Sequence, residues 1–261
     1  MQYPLITDNS TNLQCSECST VVVATDRFCG HCGREIAINA QTSRRDEDIL
    51  EHLKPTLAYY FITLILLATY SMTEVFPPGF SGMAIVSLLD VAFVIIFWII
   101  YFKELKPLFS LDRIDPGVMA LTVACAAVGA IVVTALAEVI EFSIQDDVYY
   151  STYFFEDTSN PFLWAVFFIC IQPAVFEEVA FRGFLYSNLE KVTTPNSAIY
   201  ITAFVFGIIH LSIISMLWLV PLGLIFAYMR MKYNTLWYGI IGHFTYNFVI
   251  TIIDFWGVIG S

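Results

Sequence analysis

Residues 161–188, PFLWAVFFICIQPAVFEEVAFRGFLYSN, decide the fold. The run is long enough, at ~1.5 Å per helical residue, to cross a hydrocarbon core of ~30 Å. Its middle nevertheless carries Glu177, Glu178 and Arg182. Ionisable groups at that depth cost several kcal/mol each on most scales, so they mark a place of work. Two further ionisable residues, His210 and His243, sit at similar depth in later apolar runs. Four such groups and an arginine in one chain point to chemistry inside a membrane.

The rest of the chain agrees. Its hydrophobic fraction of 58% exceeds the ~45–50% of ordinary soluble domains. Besides 161–188, apolar runs lie at about 56–76, 81–102, 116–140, 197–213, 214–229 and 235–256. These predict an all-α polytopic membrane protein with a bundle of about seven transmembrane helices. Lys and Arg outside the glutamate motif fall in alternate connections. Arg27, Arg34, Arg44, Arg45 and Lys54 precede the first span, and Lys103, Lys106 and Arg113 follow the second. Lys191 follows the fourth, and Arg230 and Lys232 follow the sixth. Segments 77–80 and 141–160 have none. The positive-inside rule then predicts a multi-pass protein of the cell (plasma) membrane with a cytoplasmic N-terminus. The net charge of −11 excludes a basic nucleic-acid footprint. Much of it comes from the segment holding Glu141, Asp146, Asp147, Glu156 and Asp157, which reads as a solvated loop. The polar first fifty residues do not read as a signal peptide.

Ahead of the first span, Cys15-x2-Cys18 and Cys29-x2-Cys32 form a paired array. Four thiolates give the closed tetrahedral shell of structural zinc, and in a cytoplasmic setting metal binding is favoured over disulfides. Gly30 and Gly33 suit the knuckle turns, and His31 is expected in solvent. The segment FCGHCGREI resembles the short zinc ribbons at the start of many prokaryotic membrane proteins. The reading divides the chain into a ribbon at 1–36, a charged linker at 37–55 that is helical from Asp46, and a transmembrane domain at 56–256. The motif core of that domain is 161–256. Pro55 is expected at the first turn of the first span. Cys125 and Cys170 stand alone and read as small buried apolar residues.

Within the motif core, Glu178 and Arg182 are spaced i,i+4 with the acid first, the favoured order for a helical ion pair. That pairing leaves Glu177 free as a candidate base. Counting ~1.5 Å per residue from one end of the bundle puts Glu177 at ~18 Å, His210 at ~20 Å and His243 at ~13 Å. Asn247 lies one turn beyond His243. Gly183, Gly207 and Gly242 permit close helix approach. Pro173 frees a backbone carbonyl and is expected to kink its helix, as is Pro221. Asp90 falls midway along the second span and has no place in this scheme. Trp164, Trp218, Trp237 and Trp256 lie near span ends, as interfacial anchors do.

EEVAFR (Glu177–Arg182), FGIIH (Phe206–His210) and HFTYN (His243–Asn247) resemble, in order, the EExxxR, FxxxH and HxxxN signatures of the CPBP (Abi) intramembrane proteases. That family includes the type II CAAX prenyl endopeptidases. The resemblance covers roughly residues 110–256. It implies hydrolysis of a peptide bond in a membrane-associated protein or peptide. In that scheme Glu177 with His210 activates a water, His243 and Asn247 stabilise the oxyanion, and Arg182 holds Glu178. Two histidines and a carboxylate also suit catalytic zinc. The spacing is not HExxH, and the resemblance favours a water without a metal ligand shell. Two other classes compete: a non-catalytic relative acting as an immunity or scaffold protein, and a proton-coupled transporter. The motif set without gaps speaks against the first. A single cluster of charges, with no inverted repeat, speaks against the second.

Overall fold

The computed structural model describes residues 13–15, 17–22, 28–34, 39–145 and 151–260. Arg27, Asp146, Asp147 and the start of the linker at 37–38 lie outside them. The chain divides into two compact units, Met1–Glu51 and His52–Ser261.

In the first unit, Leu13–Gln14 pairs antiparallel with Val21–Val22. This hairpin carries the first CxxC on its turn. Helix α1 begins at Asn39 and runs to Met72. The expected linker is thus helical from Asn39 and not from Asp46, and Pro55 lies inside a helix instead of opening one.

The second unit is all helical. After α1 come α2 (Phe80–Ile100), α3 (Pro116–Gln145), α4 (Pro161–Val192), α5 (Pro195–Ile209), α6 (Met216–Tyr233) and α7 (Trp237–Gly260). Among the described residues, Leu53–Met72, α2, Pro116–Ile140 and α4 have the length and hydropathy to cross a membrane. The other three are shorter or more polar, because they supply the interior. Helix α5 has 15 residues, or about 22 Å, too short for a full span. It stops at Ile209 with His210 at the C-cap, inside the expected 197–213 run and close to its expected end. Leu211 then takes a positive φ of 55° to reverse the chain.

One end of the bundle gathers the basic connections. Lys191 Nζ lies 2.8 Å from Glu104 Oε2, joining the end of α4 to the segment after α2. Arg113 Nη1 donates to the Asn234 carbonyl at 2.5 Å, joining the start of α3 to the end of α6. Arg230 is not a loop charge. It is buried, and donates to Asn234 Oδ1 at 2.7 Å and to Ser187 Oγ at 3.2 Å. At the opposite end Phe80, Phe155, Trp164 and Phe168 interlock with centroids 5.4–5.9 Å apart. Of the four tryptophans expected as anchors, Trp237 instead donates its indole N–H to the Phe109 carbonyl at 2.9 Å.

Tight crossings hold the short helices in place. A Cβ at Gly223 of α6 would sit 3.1 Å from the Ala203 backbone of α5. One at Gly207 would sit 2.9 Å from Val220. One at Gly242 would sit 2.8 Å from Phe226. Small residues thus set the α5–α6–α7 spacing, as expected for helices packed without a hydrophobic driving force from lipid.

Candidate functional site

Helix α4 is not a regular α-helix. It widens into i→i+5 winding at Val166–Ile171 and again at Glu178–Leu185. Such π segments recur at functional sites. Pro173 lies between them and has no N–H to offer the Ile169 carbonyl four residues earlier. Asn247 of α7 takes that role, its Nδ2 donating to Ile169 O at 2.8 Å. One amide N–H of the HxxxN motif is therefore committed to repairing α4, and the second remains for other work.

The second π segment carries the charge cluster. Arg182 Nη1 donates to Glu178 Oε1 at 2.8 Å, and both side chains are fully buried. Arg182 Nη2 also donates to the Gly223 carbonyl at 3.5 Å. The guanidinium lies 4.4 Å from the centroid of Phe206 and 5.6 Å from that of Phe226, within cation–π range. His243 Nδ1 reaches the same Glu178 oxygen at 3.3 Å. An ionised carboxylate only accepts, so Nδ1 carries the proton and Nε2 faces away from the pair. Glu178 thus serves two donors from two helices. Its other oxygen, Oε2, is buried with no partner and lies over Gly239, where any Cβ would collide with it. Gly239 and Gly223 escaped the sequence reading. Gly239 could have been found as the residue one turn before His243 on the same face.

Glu177 behaves differently. It is half-buried, and its Oε2 is buried without a hydrogen-bond partner. Its charge is felt by Tyr59 of α1, and it interacts electrostatically with Asp90 of α2, His243 and Arg182. Asp90 therefore belongs to this polar layer. It lies 3.5 Å from both the Tyr59 and the Thr63 hydroxyls. Tyr60 donates to the Ala180 carbonyl at 3.0 Å, tying α1 to the π segment.

His210 is exposed at the end of α5. Its Nδ1 lies 2.7 Å from the Phe206 carbonyl, so that nitrogen carries the proton and Nε2 is free to accept. Phe206 joins the two histidines: its ring meets His210 edge-on at 4.9 Å and His243 at 6.0 Å. The structure thus brings Glu178, Arg182 and His243 into direct contact. Glu177 and His210 border them without touching through a hydrogen bond, and Asn247 is turned toward α4. Among the described residues, the two histidines and the glutamates do not converge on one metal-ligand point; the cysteine quartet does.

In that quartet the four sulfurs lie within 4.8 Å of one another. Cys15 and Cys32 Sγ are 3.6 Å apart, and Cys18 and Cys29 Sγ are 3.5 Å apart. A tetrahedral ion with Zn–S of ~2.3 Å needs sulfurs ~3.8 Å apart, so the set fits zinc. The two knuckles repeat one geometry. Ser19 N–H donates to the Cys15 carbonyl and Gly33 N–H to the Cys29 carbonyl, both at 2.8 Å. The residue after each second cysteine has positive φ, 55° at Ser19 and 72° at Gly33. The Thr20 hydroxyl and N–H hold the Cys18 thiol down to about 5, giving a thiolate at neutral pH. His31 is exposed beside the site. Cys170 is buried, 3.3 Å from the Thr251 hydroxyl. Cys125, expected to be buried, is exposed because α3 packs only one face.

Residues 159–249 match the family model described as type II CAAX prenyl endopeptidase Rce1-like. The match covers the glutamate pair, Arg182, both histidines and Asn247, so this helical core is similar to the CAAX-protease-like class. No curated protein and no solved structure matches the chain.

Two outcomes are expected. Substituting Asn247→Ala leaves the Ile169 carbonyl unpaired and lowers stability by about 1–3 kcal/mol. The loss shrinks when residue 173 is also alanine, because its restored N–H reaches that carbonyl; thermal unfolding of the four-member mutant cycle measures this. The purified chain should carry one zinc by elemental analysis. Cys15→Ser with Cys18→Ser should abolish that zinc and expose the ribbon to protease, since metal supplies the folding energy of so small a unit.

Proposed function

We propose that the chain is an intramembrane endopeptidase hydrolysing a peptide bond in a membrane-associated protein or peptide. The observation that carries this reading is the Glu177 carboxylate, with a buried, unpartnered oxygen beside a fully assembled Arg182–Glu178–His243 cluster. A carboxylate left without a partner in such a place is suited to hold a water. The chain lies in the plasma membrane, with the basic connections and the N-terminus in the cytoplasm.

Glu177 removes a proton from the water, assisted by His210 Nε2, and the oxygen adds to the scissile carbonyl carbon. Glu178 holds His243 by Nδ1 and orients its ring, and an imidazolium there would offer Nε2–H to the developing oxyanion. This follows the logic by which a carboxylate orients a catalytic imidazole. The second N–H of Asn247 adds a donor. Collapse breaks the carbon–nitrogen bond, and the proton taken from water passes to the departing nitrogen. Arg182 is a positioning residue that holds Glu178 in place.

A panel of fluorogenic lipidated peptides presented in liposomes tests this. Glu177→Gln and His210→Ala should each lower cleavage by roughly 10²–10⁴-fold, the range for a positioned acid–base group. Folding, read by thermal unfolding, should be kept. Cleavage by Glu177→Gln at the wild-type rate would overturn the proposal. Loss of cleavage on chelation, with the ribbon double mutant still active, would replace it with a metal mechanism.

A further inference from the structure

Helices α3 and α6 do not close on each other. Between them lies a cavity of about 630 Å³ lined by Cys125, Gly129 and Leu136 on one side and Trp218, Ile225 and Lys232 on the other. The gap exists because α3 offers small residues there. Ala126 and Ala130 are buried against Tyr246 of α7, and a Cβ at Gly129 would meet nothing within 4 Å. The lining runs from Leu217 to Tyr233, about 24 Å along α6. This length and the largely apolar lining suit a hydrocarbon chain.

Two polar groups distinguish this groove from a plain lipid-facing surface. Tyr246 is 5% exposed, lines the groove, and its hydroxyl has no partner. A buried hydroxyl without a partner is costly, so it is expected to meet an acceptor. Lys232 closes one end, its ammonium exposed and 5.2 Å from the Tyr233 ring and 5.8 Å from the Tyr228 ring. Tyr246 packs on Ala126 and Ala130, at the level of Gly129. The groove thus offers a cation at one end and a hydrogen-bond donor along its apolar wall.

We propose that this groove binds a glycerophospholipid with an anionic headgroup. The phosphate sits on Lys232, an ester carbonyl accepts from the Tyr246 hydroxyl, and one acyl chain runs past Gly129. A bare hydrocarbon would leave both polar groups unanswered. The occupant would also touch the candidate site indirectly. Phe226 lines the groove and stacks on His243 with centroids 6.0 Å apart. Bound lipid thus braces one wall of the Glu178 cluster.

The test measures retained lipid by native mass spectrometry of the full chain, titrated with phosphatidylglycerol or phosphatidylcholine in detergent. Wild type should bind phosphatidylglycerol at least tenfold more tightly. Lys232→Gln should abolish that preference, and Tyr246→Phe should weaken both lipids several-fold while keeping it. Gly129→Phe places a ring in the channel from a position where a Cβ meets nothing within 4 Å, so it should fold, with an unchanged melting temperature, and lose binding of both at least tenfold. Phosphatidylglycerol should also slow modification of Cys125. Equal binding of the two lipids that Gly129→Phe leaves intact would overturn the proposal, as bulk lipid contact only. Competitive exclusion of the phospholipid by a lipidated peptide would overturn it too, in favour of a substrate channel.

Discussion

Arg182 has no route to water, and everything around it answers that fact. The guanidinium is fully buried and lies against Glu178, the Gly223 carbonyl and the rings of Phe206 and Phe226. These partners come from α4, α5 and α6, and Glu178 draws in His243 from α7. A buried ion pair is weak evidence for net stability, since desolvation can exceed the attraction. Its force here is specificity: each of four helices must present one group at one depth. The glycines at 207, 223, 239 and 242 are the steric complement, letting the helices approach far enough for those groups to meet.

The same region carries the irregular backbone of the bundle. Helix α4 twice widens to π winding, Pro173 leaves a carbonyl unbridged, and α5 stops short on a residue that then serves as a candidate base. Each departure costs hydrogen bonding that a regular span would keep. Non-helical backbone at membrane depth survives where it lines a protein-enclosed cavity. The repairs come from side chains that the motifs also name, as Asn247 shows. Structural repair and motif therefore share residues, so substitutions at these positions change stability whatever else they change.

Much of this was legible in the chain because the signals were local. The seven helices followed from apolar runs, and the i,i+4 spacing of Glu178 and Arg182 announced their ion pair. The paired CxxC spacing announced the quartet that the fold draws together. What escaped was set by tertiary contact. No periodicity shows that Asn247 will reach Ile169, or that His243 will join Arg182 on one carboxylate oxygen. Asp90 looked isolated because its hydroxyl partners, Tyr59 and Thr63, come from another helix. Arg230 looked like a loop charge because its burial depends on Asn234 and Ser187. The linker was misread because charged residues from Asn39 onward are also good helix formers.

The most direct test of the central claim is a stability cycle on Glu178 and Arg182, read by thermal unfolding and by cleavage together. Glu178→Gln alone should strand a buried guanidinium and cost about 3–5 kcal/mol. Adding Arg182→Met should restore most of that stability while cleavage stays lost, because His243 no longer has its carboxylate. Additive losses in the double variant, or cleavage returning with stability, would show that the pair is not what organises the site.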